Sequence, residues 1–232
     1  MINKSTEFIK SERYNFVQTS DGSITVSDKL LGENFHSTYG AIAESNHIFI
    51  KNGLNLFIKS EIKILEVGFG TGLNCLLTAI NKLQEQKIIY HSIEKYPLNP
   101  EIYLKLNYSD CLKITNNLFN NILTAKWDMQ IKISDNFELK KINCDLLYFM
   151  PVNSYDIIYF DAFSQNVQPE LWTKEVFIKL YNCLNKNGIL TTYSSKGDVK
   201  RAMREANFVV KRISGPIGKR HIIRAIKQSC NN

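Results

Sequence analysis

The chain has 232 residues, 44% hydrophobic and 22% charged, with a formal net charge of +7, values ordinary for a soluble globular protein. A chain of this length buries about 70% of its unfolded surface in one core, so disulfide or metal staples are not needed. No apolar run approaches the roughly 18 residues of a membrane span, the opening MINKSTEFIKSER lacks an apolar leader segment, and the five scattered cysteines and four histidines show no ligand spacing. These features exclude a membrane protein, a secreted disulfide scaffold and a metal centre, and they point to the cytoplasm.

In chain order, Tyr14 to Val26 reads as a hairpin turning at Asp21-Gly22. A helix is expected from about Gly40 to Phe57, closed near Asn52-Gly53. The pattern then alternates between strands and helices. Ile62 to Val67 is a buried strand, and the apolar stripe Leu73, Leu76, Leu77 and Ile80 marks a helix. Ile88 to Ile93 is the next strand, followed by helices from Pro100 to about Leu106 and from Asp110 to Leu123. Tyr155 to Phe160 is a third strand, and a helix from Pro169 or Glu170 to Leu184 is closed by Asn187-Gly188. Ile189 to Tyr193 is another strand. Asp198 is expected to cap a helix that is apolar at Val199, Ala202, Met203 and Ala206 and basic at Lys200, Arg201 and Arg204. Strands Phe208 to Ile213 and His221 to Ile226 flank a Gly215-Pro216 turn. This order predicts an α/β Rossmann-like fold, a doubly wound and mostly parallel sheet with an antiparallel C-terminal edge. Residues 1–57 form a hairpin-and-helix extension, and residues 58–232 the main domain.

Charge is concentrated near the end. Lys196 to Lys227 holds ten Lys/Arg against two acids, a local excess of +8, which leaves −1 for the rest of the chain. A basic block confined to one region is a footprint for a polyanion, and five of the ten are arginines, which favours nucleic acid over a merely solvated surface.

Glu66-Val67-Gly68-Phe69-Gly70-Thr71-Gly72 lies between a predicted strand and a predicted helix, the setting in which a glycine turn lets backbone approach a ligand closely. The setting points to a nucleotide or nucleoside ligand, and the following helix N-terminus favours an anionic group; in an S-adenosyl-L-methionine site that group would be the methionyl carboxylate, with Glu66 facing the ligand's cationic amino end. Glu94, ending the second strand, suits the two ribose hydroxyls. Asp145 is a candidate acceptor for the adenine amino group. Asp161, ending the strand YDIIYF at the sheet's carboxyl edge, is the candidate catalytic group. Transfer of a methyl group to nitrogen needs alignment, exclusion of water and a neutral amine, which one carboxylate accepting from the amine N–H can serve. Phe163, Trp172 and Tyr193 are candidate stacking walls for a base, and Lys196, Arg201, Lys219 and Arg220 candidate contacts to RNA.

LEVGFGTGLN (Leu65 to Asn74), SIEKYPL (Ser92 to Leu98), YDIIYFDAFS (Tyr155 to Ser164), PELWT (Pro169 to Thr173) and TYSSKGDVKRAMREANF together resemble the methyltransferase part of the MnmC family and its stand-alone MnmD relatives. HSTYGAIAESNHIFI (His36 to Ile50) is similar to that family's N-terminal region, so the resemblance runs from about His36 to Ala225. It implies S-adenosyl-L-methionine-dependent methylation of 5-aminomethyl-2-thiouridine at the tRNA wobble position. It also implies that Gly68, Gly70 and Gly72 bind the cofactor, with Glu94 at the ribose, Asp145 at the adenine and Asp161 as the catalytic aspartate. Gln165 stands where the family usually has proline after DAFS, predicting a looser substrate loop, and Asn143-Cys144-Asp145 replaces the more usual Gly-Asp. The length leaves no room for the oxidase domain of bifunctional relatives, so no flavin is expected. Two other readings stay open: a Rossmann-like methyl or aminopropyl transferase acting on a small amine, and a non-catalytic RNA- or nucleoside-binding subunit.

Overall fold

The computed structural model describes residues 13–152 and 154–228. Cys230 and almost all of the opening segment read for a leader lie outside these residues. Among the described residues, Cys75, Cys111, Cys144 and Cys183 are free thiols, no group of three or more His, Cys, Asp or Glu could hold a metal, and no helix is long and apolar enough to cross a membrane.

An eight-stranded sheet forms the centre, in the order β10-β11-β9-β8-β4-β5-β7-β6. Its middle comprises β4 (Glu61–Val67), β5 (Lys87–Glu94), β7 (Phe137–Asn143), β8 (Tyr155–Phe160) and β9 (Leu184–Thr192), all running parallel. At the edges, β6 (Gln130–Ser134), β10 (Val209–Ser214) and β11 (His221–Ile226) pair antiparallel. Every residue of β8 is buried, as covering a parallel sheet on both faces requires. Ile157 and Tyr159 point into one apolar cluster, with Leu76 and Leu77 of α2 (Leu73–Asn81). Ile158 and Phe160 point into the other, with Val176 and Phe177 of α6 (Lys174–Asn182) and Met203 of α7 (Gly197–Glu205). Each such side chain contributes roughly 1.5–3 kcal/mol on burial. This is the doubly wound α/β fold expected, with antiparallel pairing at both edges.

The strands β6 and β7 fall in a stretch to which the sequence pattern assigns no element. In β7 the buried positions alternate as Phe137, Leu139 and Lys141, so a lysine occupies the third core-facing site and hides the period of two. Lys141 is 1% exposed; its Nζ donates to the Leu123 carbonyl at 2.7 Å and lies 5.1 Å from the Phe69 ring centre and 4.9 Å from that of Trp127. Burial lowers its ammonium pKa to about 8.

Local boundaries also differ from expectation: between β5 and β6 lie three short helices, α3 (Pro100–Tyr103), α4 (Tyr108–Leu112) and α5 (Asn116–Thr124), where two were expected. The hairpin is present, as β1 (Tyr14–Gln18) and β2 (Ile24–Asp28), and β3 (Glu33–Asn34) adds a third strand. Asp21 of its turn also accepts from the Ala43 N–H at 2.9 Å, fixing the start of α1 (Ala41–Ser45). The single helix expected to Phe57 is instead α1, a π-helical turn over Asn46–Lys51 and a 3-10 turn over Leu54–Leu56. Asn52 Nδ2 donates to the His47 carbonyl at 2.7 Å, and a side chain drawn into the ladder this way disrupts regular α pairing. Gly53 has φ −125° and is no left-handed cap. Pro169–Trp172 forms a 3-10 turn, after which Thr173 caps α6 by accepting from the Val176 N–H. Asn187-Gly188 falls inside β9, where the pairing register shifts, and does not close α6. Asp198 lies in the first turn of α7 and pairs with Arg201, while Lys196 holds the cap position.

At the amino end of β8, the Asp156 carboxylate accepts from Lys59 Nζ at 2.5 Å, the Lys63 N–H at 3.0 Å and Asn185 Nδ2 at 3.0 Å. Burial opposes ionisation there, but these three donors hold the carboxyl below its ordinary range. With the folded pKa depressed, the stabilisation is present above the unfolded value and lost as pH falls through the folded one. Asp156→Ala leaves the donors unpaired and is expected to cost about 1–3 kcal/mol, read as a lower urea midpoint with an unchanged slope.

Candidate active site

Strand order reverses at β4, whose chain successor β5 lies on one side and β8 on the other, so a crevice opens at the carboxyl ends of β4 and β8. The bend after β4 carries Gly68, Gly70 and Gly72 at φ +90°, +50° and +76°. The Gly68 N–H donates to the Ile93 carbonyl at 2.9 Å and the Asp161 N–H to the Val67 carbonyl at 3.0 Å, stitching the bend between both neighbouring strands. A Cβ on Gly68 would sit 2.7 Å from the Asp161 carbonyl oxygen, closer than any side chain tolerates.

The crevice forms a cavity of about 610 Å³, and the bend residues Gly68, Phe69 and Gly70 line it with Glu94, Asp145 and Asp161. Glu94 Oε2 accepts from the Gly70 N–H at 3.2 Å and Oε1 from the Tyr96 N–H at 2.9 Å. Burial raises the Glu94 pKa, and these backbone donors oppose the rise. Asp145 pairs with Lys95 at 2.9 Å and accepts from the Leu147 N–H at 2.9 Å. Burial works against its ionised form, but Lys95 and the Leu147 N–H hold it below the ordinary carboxylate range.

Asp161 has a different setting. Burial pushes its carboxyl up to about 7, nearby Glu44 adds to the rise, and the Asn74 hydrogen bond and Lys219 oppose it. Asn74 Nδ2 donates to Asp161 Oδ2 at 2.8 Å, and Oδ1 has no hydrogen-bond partner among the described residues. A carboxylate poised near neutrality in a cavity can take a proton from a bound amine.

The acceptor-side candidates divide. Phe163, Tyr193 and Lys219 line the cavity. Phe163 packs edge-on to Phe35 at 5.0 Å, the Tyr193 hydroxyl donates to the Ala162 carbonyl at 2.9 Å, and Lys219 Nζ lies 5.1 Å from the Tyr193 ring centre and 3.1 Å from Glu44 Oε1. Trp172 does not form a wall of the cavity. It is 4% exposed, packs on Phe160 and Tyr193, and its indole N–H donates to the Phe163 carbonyl at 2.8 Å. Lys196, Arg201 and Arg220 are exposed away from the cavity lining. Glu66 does not face the cavity either. It is fully buried beneath the bend, and its Oε2 accepts from the Ser92 hydroxyl at 2.6 Å, because its place in the strand pleat aims it at α2.

Four site residues carry no sequence assignment. Asn74 ends the motif LEVGFGTGLN, and His36 and Glu44 lie in the HSTYGAIAES stretch, so the only signal for these three is the resemblance itself. Glu33 has none, because its role depends on a contact across 131 residues with Ser164, to whose N–H it is bonded at 3.1 Å and whose hydroxyl it also accepts. That contact and the Phe163 N–H bond to Gln168 Oε1 at 3.0 Å fix the start of the loop after Asp161, in which Gln165 stands. His36 Nε2 lies 2.9 Å from the Thr71 hydroxyl, to which the Tyr108 hydroxyl donates at 3.2 Å, and burial lowers the His36 pKa to about 4, so the ring is neutral. Glu44 Oε2 accepts from the Ser37 N–H at 2.8 Å.

A family model described as an S-adenosyl-L-methionine-dependent methyltransferase matches residues 85–228, more than half of the chain. The chain belongs to this methyltransferase family. The matched span begins after the glycine bend and takes in Glu94, Asp145 and Asp161. The chain is also 29% identical over 215 residues to the tRNA 5-methylaminomethyl-2-thiouridine biosynthesis bifunctional protein MnmC of Burkholderia multivorans, and 29% identical over 222 residues to that of Burkholderia pseudomallei. Each match covers 86% of this chain, which spans about a third of the relatives' length (33% and 34%). Among solved structures, MNMC2 from Aquifex aeolicus superposes with a TM-score of 0.74 at 22% identity, covering 99% of this chain and 78% of that one, so the two share a fold.

The site fits the cofactor of its family. The glycine bend leaves no room for a Cβ at Gly68, the nine-residue α2 begins directly after it, and Glu94 supplies a carboxylate to the cavity wall.

Proposed function

We propose that the chain methylates the exocyclic amine of 5-aminomethyl-2-thiouridine at the wobble position of tRNA, giving the 5-methylaminomethyl product in the cytoplasm. The observation that carries this reading is Asp161, a half-buried carboxylate near neutrality that lines the same cavity as the glycine bend. The names of the Burkholderia relatives agree with the acceptor.

S-adenosyl-L-methionine supplies an electrophilic methyl group on a sulfonium that leaves as a thioether. Glu94 would hold the ribose hydroxyls, Asp145 would face the adenine amino group, and the α2 N-terminus would meet the carboxylate of the methionyl part. Asp161 Oδ1 accepts the proton that the acceptor ammonium must lose, so the nitrogen lone pair is free for in-line attack. Phe163 and Tyr193 flank the splayed-out base. Trp172 keeps both in place, and the Glu33–Ser164 clamp holds the loop that follows Asp161.

The exposed cations Lys196, Arg201, Arg204, Lys211, Arg212 and Arg220 are offered as the phosphate-binding surface, whereas Lys227 is used internally, donating to the Leu184 carbonyl at 2.8 Å. Replacing Arg201, Arg204 and Arg212 together by alanine is expected to reduce the slope of log affinity for tRNA against log salt by about 2 to 3. A small-amine transferase would show no such slope.

Nucleoside analysis of tRNA from cells lacking the gene tests the acceptor. Accumulated aminomethyl nucleoside with loss of its methylated form is expected, and an unchanged profile would refute the assignment.

A further inference from the structure

Beneath the cavity floor lies a cluster of polar atoms that the chemistry above does not use. Glu66, Tyr90 and Asn74 are buried there, at 0%, 0% and 2% exposure. Glu66 Oε2 is taken by the Ser92 hydroxyl, whereas among the described residues Glu66 Oε1, Asn74 Oδ1 and the Tyr90 hydroxyl meet no partner at hydrogen-bond geometry. Asn74 stands between two carboxyls, with Nδ2 on Asp161 Oδ2 at 2.8 Å and its amide also neighbouring Glu66.

The proton count of this cluster is informative. The Asp161 carboxylate can only accept, so it fixes the Asn74 amide with N–H toward Asp161 and Oδ1 away from it. Asn74 Oδ1 then needs a donor. An ionised Glu66 offers only acceptors, and the single O–H of neighbouring Tyr90 can serve one of the two buried oxygens, leaving the other unsatisfied at a cost of about 1–3 kcal/mol. One proton on Glu66 Oε1 turns that oxygen into the missing donor.

The titratable groups around Glu66 agree. Asp161 and Tyr159 face it from β8 and its end, Tyr90 from β5 and Cys75 from α2. None of these four brings a positive charge. Burial raises the Glu66 pKa to about 8, with the Asp161 charge adding to the rise and the Ser92, Asn74 and Tyr90 side chains opposing it.

We propose that Glu66 is held as a neutral carboxylic acid that donates to Asn74 Oδ1, and that Asn74, so oriented, is the positioning residue of the Asp161 carboxylate. This inference rests on Asp161 acting as the proton acceptor. It gives Glu66 a role behind the site in place of ligand contact. A second carboxylate lies close to the base without repelling it, because the second one carries a proton.

The test uses the full chain and four variants. Asn74→Leu is expected to lower kcat by about 10- to 100-fold, the loss of one hydrogen bond to a charged group. It should also move the acid limb of kcat/KM to higher pH, since Asp161 loses a donor to its ionised form, while the Kd for S-adenosyl-L-methionine stays within about threefold. Glu66→Leu should lower kcat similarly, and Glu66→Gln, which keeps a donor and cannot ionise, should restore it. An unmoved acid limb in Asn74→Leu, or a Glu66→Gln protein as impaired as Glu66→Leu, would overturn the proposal.

A measurement without turnover keeps the test independent of the acceptor and of any variant that fails to fold. Infrared spectra at neutral pH should show the C=O stretch of a protonated carboxyl that vanishes in Glu66→Gln and survives in Asp161→Asn. Absence of a band that depends on Glu66 overturns the proposal even if tRNA is methylated. Its presence upholds a neutral Glu66 even if another amine proves to be the acceptor.

Discussion

Asp161→Asn is expected to lower kcat by about 100- to 10,000-fold while leaving the affinity for S-adenosyl-L-methionine within a few-fold. The substitution keeps the shape of the side chain and removes its basicity, so a loss in kcat without a loss in cofactor Kd separates proton acceptance from binding. The wild-type pH profile carries the same signature. Burial, assisted by Glu44, raises the Asp161 carboxyl to about 7, and in the proposed mechanism the ionised form is the active one. The limb of kcat/KM that reports the free protein should therefore fall as pH drops through about 7, and Asp161→Asn should lose that limb. Lys219→Met removes a nearby cation that opposes the rise, and should move the limb to higher pH. Stopped assays across pH 5 to about 9 with saturating cofactor would measure all three.

The second large effect belongs to the glycine bend. Gly68→Ala is expected to reduce S-adenosyl-L-methionine affinity by at least about 100-fold and to destabilise the fold by about 1–3 kcal/mol. Two independent costs act at this position. The residue sits at φ +90°, where side chains are strained, and a methyl group would lie 2.7 Å from the Asp161 carbonyl oxygen and 3.2 Å from its carbon. Both atoms are backbone, so either the bend or the segment at Asp161 has to move. Gly70→Ala is the control. Its φ of +50° also strains a side chain, but it lies in the left-handed region that Lys113 occupies at φ 53°, and its neighbour is the Phe35 ring at 3.0 Å, a side chain that can give way. A substantially smaller loss is expected for Gly70→Ala than for Gly68→Ala. Calorimetric titration and thermal unfolding of both variants decide the comparison.

The site residues whose positions were legible from sequence share a property: their placement follows from local pattern. Gly68 to Gly72 could be read because a buried strand precedes them and an apolar helical stripe follows. Glu94 and Asp161 could be read because each ends a strand at the sheet's carboxyl rim. Non-local packing hid the rest. Glu33 is tied to Ser164 across 131 residues, and Asn74 reaches Asp161 across 87. Within β4 the pleat turns Glu66 to the same face as Ile64 and leaves Val67 at the cavity, which adjacency to the glycines alone does not reveal. Trp172 looked like a stacking wall by its position, but the 3-10 turn carries it inward. The basic segment is similarly mixed: Lys219 reaches the cavity, Arg201 and Arg220 stay on the surface, and Lys227 is spent on a buried carbonyl. The strand β7 was concealed by Lys141, an ionisable residue that the core accepts because Leu123 and two aromatic rings receive its ammonium group.

Methyl transfer in vitro is the most direct measurement of what this site does. Purified chain, S-adenosyl-L-methionine labelled in its methyl group and tRNA carrying 5-aminomethyl-2-thiouridine should yield label in the 5-methylaminomethyl nucleoside with wild type and almost none with Asp161→Asn. Label absent from that nucleoside with wild type, or equal labelling by the two proteins, would contradict the role assigned to the cavity and its aspartate.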